Sequence, residues 1–169
     1  GGRGGWEEED EIADYSDAEG EELAEAARER AEAAMDDSDW DQAIEELSHA
    51  LALSPHNPEL YLLRSECFIA KAEESASPRG AGLLEQRAQD DAGRLLRLHA
   101  SPESYYVAAE LCERLGAMLK ARDLYALALE QEPDTPAALE RLCRLVEELP
   151  EGDDGLPSPV RALLPAAAP

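Results

Sequence analysis

Aromatic residues are scarce in this chain, at 5%. That points to a core of Ala and Leu rather than one of interlocking rings. Cysteine is scarce too. Cys67, Cys112 and Cys143 form an odd set without CxxC spacing, which argues against a disulfide framework and a zinc site. Lying inside predicted helices, they read as buried, reduced thiols. No apolar run approaches the roughly 20 residues that span a bilayer, and no secretory signal pattern is present. Positive charge is short: 15 Lys and Arg stand against 39 Asp and Glu, a formal net charge of −24. Nucleic acid and anionic membranes would be repelled as direct partners, whereas basic protein segments would be attracted. The constellations of catalysis are missing as well. There is no Gly-rich phosphate loop, no nucleophile elbow and no HExxH. His49, His56 and His99 fall at helix surfaces or ends, none at metal-ligand spacing with Cys or a carboxylate. The acidic pairs Asp36–Asp37 and Asp90–Asp91 read as solvated turn or face residues. The expectation is a protein without enzymatic activity, cofactor or bound metal.

What is there is helical periodicity. Residues 39–55, DWDQAIEELSHALALSP, place Trp40, Ala43, Ile44, Leu47, Ala50, Leu51 and Leu53 mostly three or four apart, hence on one helical face. Pro55 stops the helix. Alone, such a helix is marginal in water, so its stripe needs neighbours. Residues 122–133, RDLYALALEQEP, repeat the pattern: Ala121, Tyr125 and Ala128 match Ala43, Leu47 and Ala50, and Pro133 matches Pro55. A shorter helix precedes each, at 23–35 and 104–115, with small Ala31 and Ala109 at equivalent places of close approach.

This pattern resembles the tetratricopeptide repeat, a helix-turn-helix unit with a period of about 34 residues. The third copy follows it most closely through Tyr105, Ala108, Ala109, Gly116, Ala121, Tyr125, Ala128 and Pro133. In the first copy Ala27 and Arg30 stand where larger apolar residues are usual. The resemblance implies an all-α, right-handed α-solenoid of antiparallel helix pairs, with about three repeats and a capping helix. An acidic, flexible leader is expected over 1–22, the helical domain over 23–149, and a Pro-rich, extended tail over 150–169. Within that tail residues 160–164 form a candidate docking patch. Helices are predicted over 21–35, 39–53, 59–74, 83–98 and 137–149, besides those of the third copy. Pro58 and Pro102 are spaced about ten residues beyond one repeat period. An insertion near 75–84, SASPRGAG and its neighbours, together with a longer second helix, accounts for the excess.

The resemblance also places a groove. The second, fifth, ninth and twelfth places of each repeat tend to line it. The ninth holds Glu32, Glu66 and Glu110, and the fifth Arg28, Leu62 and Tyr106. The second holds Glu25, Glu59 and Glu103, and the twelfth Met35, Ile69 and Glu113. Carboxylates would therefore surround an apolar patch of Met35, Leu62, Ile69 and Tyr106. Family members that clamp the acidic C-terminus of Hsp70 or Hsp90 use Lys, Arg and Asn there. Here the matching places hold Arg28, Glu32, Leu63, Glu103 and Val107, so such a tail is not the expected ligand. The expected partner is a basic or amphipathic protein segment, paired with Glu32, Glu66 and Glu110. Intrahelical pairing of Glu32 with Arg28 and of Glu110 with Arg114 is the competing use of the same residues.

The leader adds Trp6, Ile12 and Tyr15 amid Asp and Glu, either a solvated acidic segment or a linear motif. The leading function is an adaptor or scaffold for other proteins. The alternatives are a holder of a basic client such as a histone, and a repeat-containing co-chaperone. An intracellular location, cytoplasmic or nuclear, is expected, with an organelle open to a processed chain. Gly1 in place of Met fits a fragment, a tag remnant or a processed chain alike.

Overall fold

The computed structural model describes residues 16–166. The described residues form eight helices and no strand: α1 (Asp17–Asp36), α2 (Trp40–Leu53), α3 (Pro58–Glu74), α4 (Pro78–Leu98), α5 (Pro102–Arg114), α6 (Met118–Gln131), α7 (Pro136–Glu148) and the single turn α8 (Ser158–Arg161). The chain divides into two compact units, one ending at Asp91 and one beginning at Ala92, so the division falls within α4.

In the first unit, small residues set the spacing of α1 and α2. Ala27, Ala31, Ala43, Leu47 and Ala50 are all completely buried. Ala27 therefore belongs to a close helix contact, where a larger side chain would overpack. Arg30 faces outward and pairs with Glu46 at 3.1 Å. Gly20 lies inside α1 because α2 ends against it: an added Cβ would stand 3.3 Å from the Leu53 carbonyl oxygen.

α1 begins earlier than the predicted residue 21. Ser16 and Glu19 form a reciprocal capping box, with Glu19 N–H donating to Ser16 Oγ at 3.3 Å and Ser16 N–H to Glu19 Oε2 at 3.4 Å. Residues 17–22, expected in the flexible leader, are thus helix. The SDAE signature was present in sequence but was masked by the surrounding acidity.

The insertion near 75–84 resolves as helix rather than loop. Pro78 opens α4, Ser77 Oγ accepts from Gly80 N–H at 3.3 Å, and the helix runs for 21 residues. Only Ser75, Ala76 and Ser77 separate α3 from α4. Asp91 on α4, expected to be solvated beside Asp90, is 3% exposed. Arg64 neutralises it: the pair forms two hydrogen bonds of 2.7 and 2.8 Å.

The second unit packs Ala108, Ala109, Tyr125, Leu129, Leu142 and Leu145 into one core. The tail after Pro150 was expected to be extended. Instead Leu156 and Val160 are buried in that core, and Leu163 and Leu164 pack against it. Arg122, itself buried, donates to the Gly152 carbonyl at 2.8 Å and holds the return of the chain. The patch at 160–164 is therefore an internal element, fixed by its own apolar side chains.

Candidate functional site

In the first unit the first helices of two successive repeats, α1 and α3, bring their predicted groove residues together. Arg28 is the centre. Its Nε donates to Glu25 Oε2 at 2.9 Å and its Nη1 to Glu32 Oε1 at 2.9 Å, while Nη2 reaches Glu25 Oε1. Glu59 on α3 stands 3.6 Å from Nη1. The Arg28 guanidinium beside it holds the Glu25 carboxyl below the usual carboxylate range. The hydrogen bond to Glu25 in turn raises Arg28. One guanidinium thus faces three carboxylates, all three of which keep exposed surface. The face retains an excess of negative charge even after Arg28 is counted. The i,i+4 pairing of Glu32 with Arg28 is present, but it does not neutralise the cluster.

Met35, Leu62 and Glu66 are half-buried in the same unit. Cys67 next to Glu66 is buried, and burial first, then the Glu66 charge, pushes its thiol up to about 12. Ile69 departs from expectation. It was expected as an exposed apolar anchor, yet it is 3% exposed and belongs to the core. Ile69 shares one face of α3 with the buried Ser65 and Ala72 and is covered with them.

The second unit treats its acidic residues differently. Glu113 accepts from Tyr125 Oη at 2.6 Å and from Arg141 Nη1 at 2.8 Å, and Arg144 Nη2 closes on its other oxygen. Glu110 lies 3.7 Å from Arg141 Nη2, so its partner is on α7 and not the expected Arg114. The Arg141 guanidinium also lies 5.9 Å from the Tyr106 ring centroid, and Tyr106 meets Tyr125 edge-on at 5.5 Å. Two arginines from α7 therefore match two glutamates from α5, and Tyr106 is already covered by a cation. From the sequence, α7 is expected as a cap. Arg141 and Arg144, three apart, share a helix face, but nothing in the sequence names the helix that this face meets.

Glu32 and Glu66 lie in the first unit and Glu110 in the second. Trp6, Ile12 and Tyr15 lie outside the described residues. Cys112 is buried as expected, whereas Cys143 is only half-buried, because it lies on α7 beside the core rather than in it. Among the described residues no three His, Cys, Asp or Glu side chains form a group able to hold a metal ion. No described helix is long and apolar enough to cross a membrane.

Residues 34–101 match the sequence profile of the family described as tetratricopeptide repeat. That stretch takes in α2, α3 and α4, including the lengthened helix. No curated protein matches the sequence. Among solved structures, the fold is similar to the Arabidopsis OM64 TPR domain, with 21% identity and a TM-score of 0.60 over 77% of this chain and 99% of that one. It is similar also to the first TPR of Spaghetti (RPAP3) bound to the HSP90 peptide SRMEEVD, with 19% identity and a TM-score of 0.59 over 76% of this chain and 94% of that one. The likeness to both is one of fold: an all-α solenoid of helix pairs.

Proposed function

Because this chain is built from tetratricopeptide repeats, we propose that it is a non-enzymatic protein-interaction adaptor. Its α1–α3 face receives a basic or amphipathic segment of another protein. The observation that carries this reading is the convergence of Glu25, Glu32 and Glu59 on the single cation Arg28. A lysine or arginine arriving there completes an ion network that is short of positive charge, and it displaces no existing cation. Glu66, Met35 and Leu62 extend the same site. Charge-assisted hydrogen bonds at a partly buried face give specificity, and the net charge of −24 speeds the encounter with a basic partner. In the second unit, Glu110 and Tyr106 take part only if a partner displaces Arg141. Three thiols without disulfide partners suit a reducing, intracellular compartment.

A second reading follows from the neighbour bound to SRMEEVD. It counts against the exclusion of Hsp70 and Hsp90 tails drawn from the sequence, and that exclusion is withdrawn. For such a tail Arg28 is the matching cation, and it would have to exchange Glu25 and Glu32 for the ligand's carboxylates.

Fluorescence anisotropy with two labelled peptides tests both readings. One is a Lys/Leu amphipathic peptide and the other is SRMEEVD. The adaptor reading expects the first to bind with a steep salt dependence, and the combined variant Glu32→Gln, Glu59→Gln and Glu66→Gln to weaken it about tenfold or more. Tight binding of SRMEEVD that is lost in Arg28→Ala, with no binding of the basic peptide, would replace the adaptor reading by the co-chaperone one.

A further inference from the structure

The lengthened start of α4 creates a second surface, sharing no residue with the acidic face. Between α2, α3 and α4 of the first unit lies an open depression of about 710 Å³. Ile44 and Phe68 form its nearly buried floor, and Leu83 and Leu84 form its wall on α4. Leu83 is 64% exposed, more than any other large apolar side chain among the described residues. An aliphatic side chain held so far into water beside an apolar floor is a surface that lacks its cover.

The rim indicates the cover. On the α2 side stand the exposed carboxylates of Asp41 and Glu45, one helical turn apart. On the other side stand Lys71, which reaches Asp41, and Arg87, whose guanidinium lies 5.9 Å from the Phe68 ring centroid. Lys71 is thus paired with Asp41, Arg87 lies over the Phe68 ring and keeps its charge, and Glu45 offers an exposed anion on the α2 side. The walls are helices, whose backbone groups are satisfied internally away from their ends, so the surface has no strand edge to which an extended chain might add. Recognition must pass through side chains, which is the helix-in-groove mode: apolar side chains one turn apart seated on Leu83, Leu84, Ile44 and Phe68.

We infer that this depression docks an amphipathic helix of a partner protein, carrying two aliphatic anchors one turn apart and a lysine or arginine that meets Glu45. A second copy of this chain fits less well, since each copy carries a net charge of −24 and association would bring like charge together. The site is independent of the α1–α3 face. An adaptor that uses both would hold two segments at once.

The test uses the full chain and two designed helical peptides with identical Leu faces, one flanked by Lys and one by Glu. Binding is read by anisotropy at physiological salt, with Leu83→Ser and Glu45→Lys beside the triple variant Glu32→Gln, Glu59→Gln and Glu66→Gln. Leu83 is so exposed that its replacement leaves folding intact, which circular dichroism verifies. The inference expects the Leu/Lys peptide to lose about tenfold or more in affinity in Leu83→Ser, as when a single apolar anchor is lost. It expects weaker, less salt-sensitive binding in Glu45→Lys, and a remaining component that the triple variant leaves intact. Equal binding of wild type and Leu83→Ser overturns it, as does equal binding of the Leu/Lys and Leu/Glu peptides. Sedimentation that shows a dimer dissolved by Leu83→Ser overturns it in favour of a second copy.

Discussion

Arg64 and Asp91, 27 residues apart, form a two-pronged ion pair that ties α3 to α4. The third nitrogen of Arg64 donates to Ser48 Oγ on α2 at 3.2 Å, and the guanidinium lies 5.9 Å from the Tyr61 centroid and 5.8 Å from that of Phe68. One side chain thereby joins three helices. Removing it strands a buried carboxylate, so Arg64→Met should cost about 3–5 kcal/mol. Arg64→Lys should recover little, because an ammonium cannot reproduce the parallel prongs. The double variant Arg64→Met, Asp91→Leu should be considerably more stable than Arg64→Met alone. A urea-denaturation cycle checks this. If the single variants each cost under about 1 kcal/mol, the pair acts as an exposed one does.

Ser38 and Gly116 occupy the same turn of two different repeats. Both have positive φ, 56° and 79°. Both turns carry the same hydrogen bonds: Ser38 N–H to Met35 O and Asp39 N–H to Ala34 O in one, Gly116 N–H to Glu113 O and Ala117 N–H to Cys112 O in the other. The left-handed conformation costs a side chain about 1–2 kcal/mol and glycine almost nothing. Ser38→Gly should therefore raise the midpoint of thermal unfolding, corresponding to about 0.5–1 kcal/mol, and Gly116→Ser should lower it by a similar amount. Equal melting of Ser38→Gly and wild type would show that the serine is unstrained there.

These turns also show what the sequence could yield. Helix pairs, their small residues and the cap were legible because Ala31, Ala43, Leu47, Ala109 and Tyr125 sit at fixed helical spacing, which is a local property. The capping box at Ser16 is a local signal as well, set within an acidic run. The partners of charged residues were not legible. Arg141 meets Glu110 and Glu113 only because α7 presents that face to α5, and Arg64 meets Asp91 only because α4 runs long. Ile69 and the tail residues Leu156 and Val160 were likewise undecided by pattern, since a short apolar run docks on whatever apolar surface the fold brings near it. The acidic face was half legible. Its glutamates were identified in sequence, but the charge surplus lies in the α1–α3 cluster and the α5–α7 cluster is balanced.

Burial separates the thiols. Cys67 and Cys112 are buried, with both thiols raised by desolvation first, Cys67 to about 12. Cys143 is raised for the same first reason but stays half-buried. Since the thiolate is the reactive form, a native chain at mild alkaline pH should titrate one fast thiol with Ellman's reagent, namely Cys143, and all three in denaturant. Cys143→Ser should abolish the fast phase. A fast phase that persists in that variant would mean that α3 or α5 opens readily.

Glu113 and Tyr125 should set opposite limits to the pH range of the second unit. Burial works to raise the Glu113 carboxyl, but the hydrogen bonds from Tyr125 and Arg141 and the charge and bond of Arg144 together outweigh it and hold it low. Such a carboxyl binds its proton more weakly in the fold than in the unfolded chain. Its contribution is therefore present above the ordinary glutamate value, about 4.3, and is lost as pH falls through the lower folded value. Tyr125 has the reverse sign. Burial first, then its bond to Glu113, raises the phenol, so its contribution is complete below its ordinary value of about 10 and is lost as pH rises through the folded one. Glu113→Gln should destabilise at neutral pH and converge with wild type in acid. Tyr125→Phe should lose about 1.5–3 kcal/mol at neutral pH, the worth of a hydrogen bond to a charged group, and should approach wild type above pH 10. Chemical denaturation of each variant across pH checks both, and parallel wild-type and Glu113→Gln curves down to pH 3 would remove Glu113 from the acid limb.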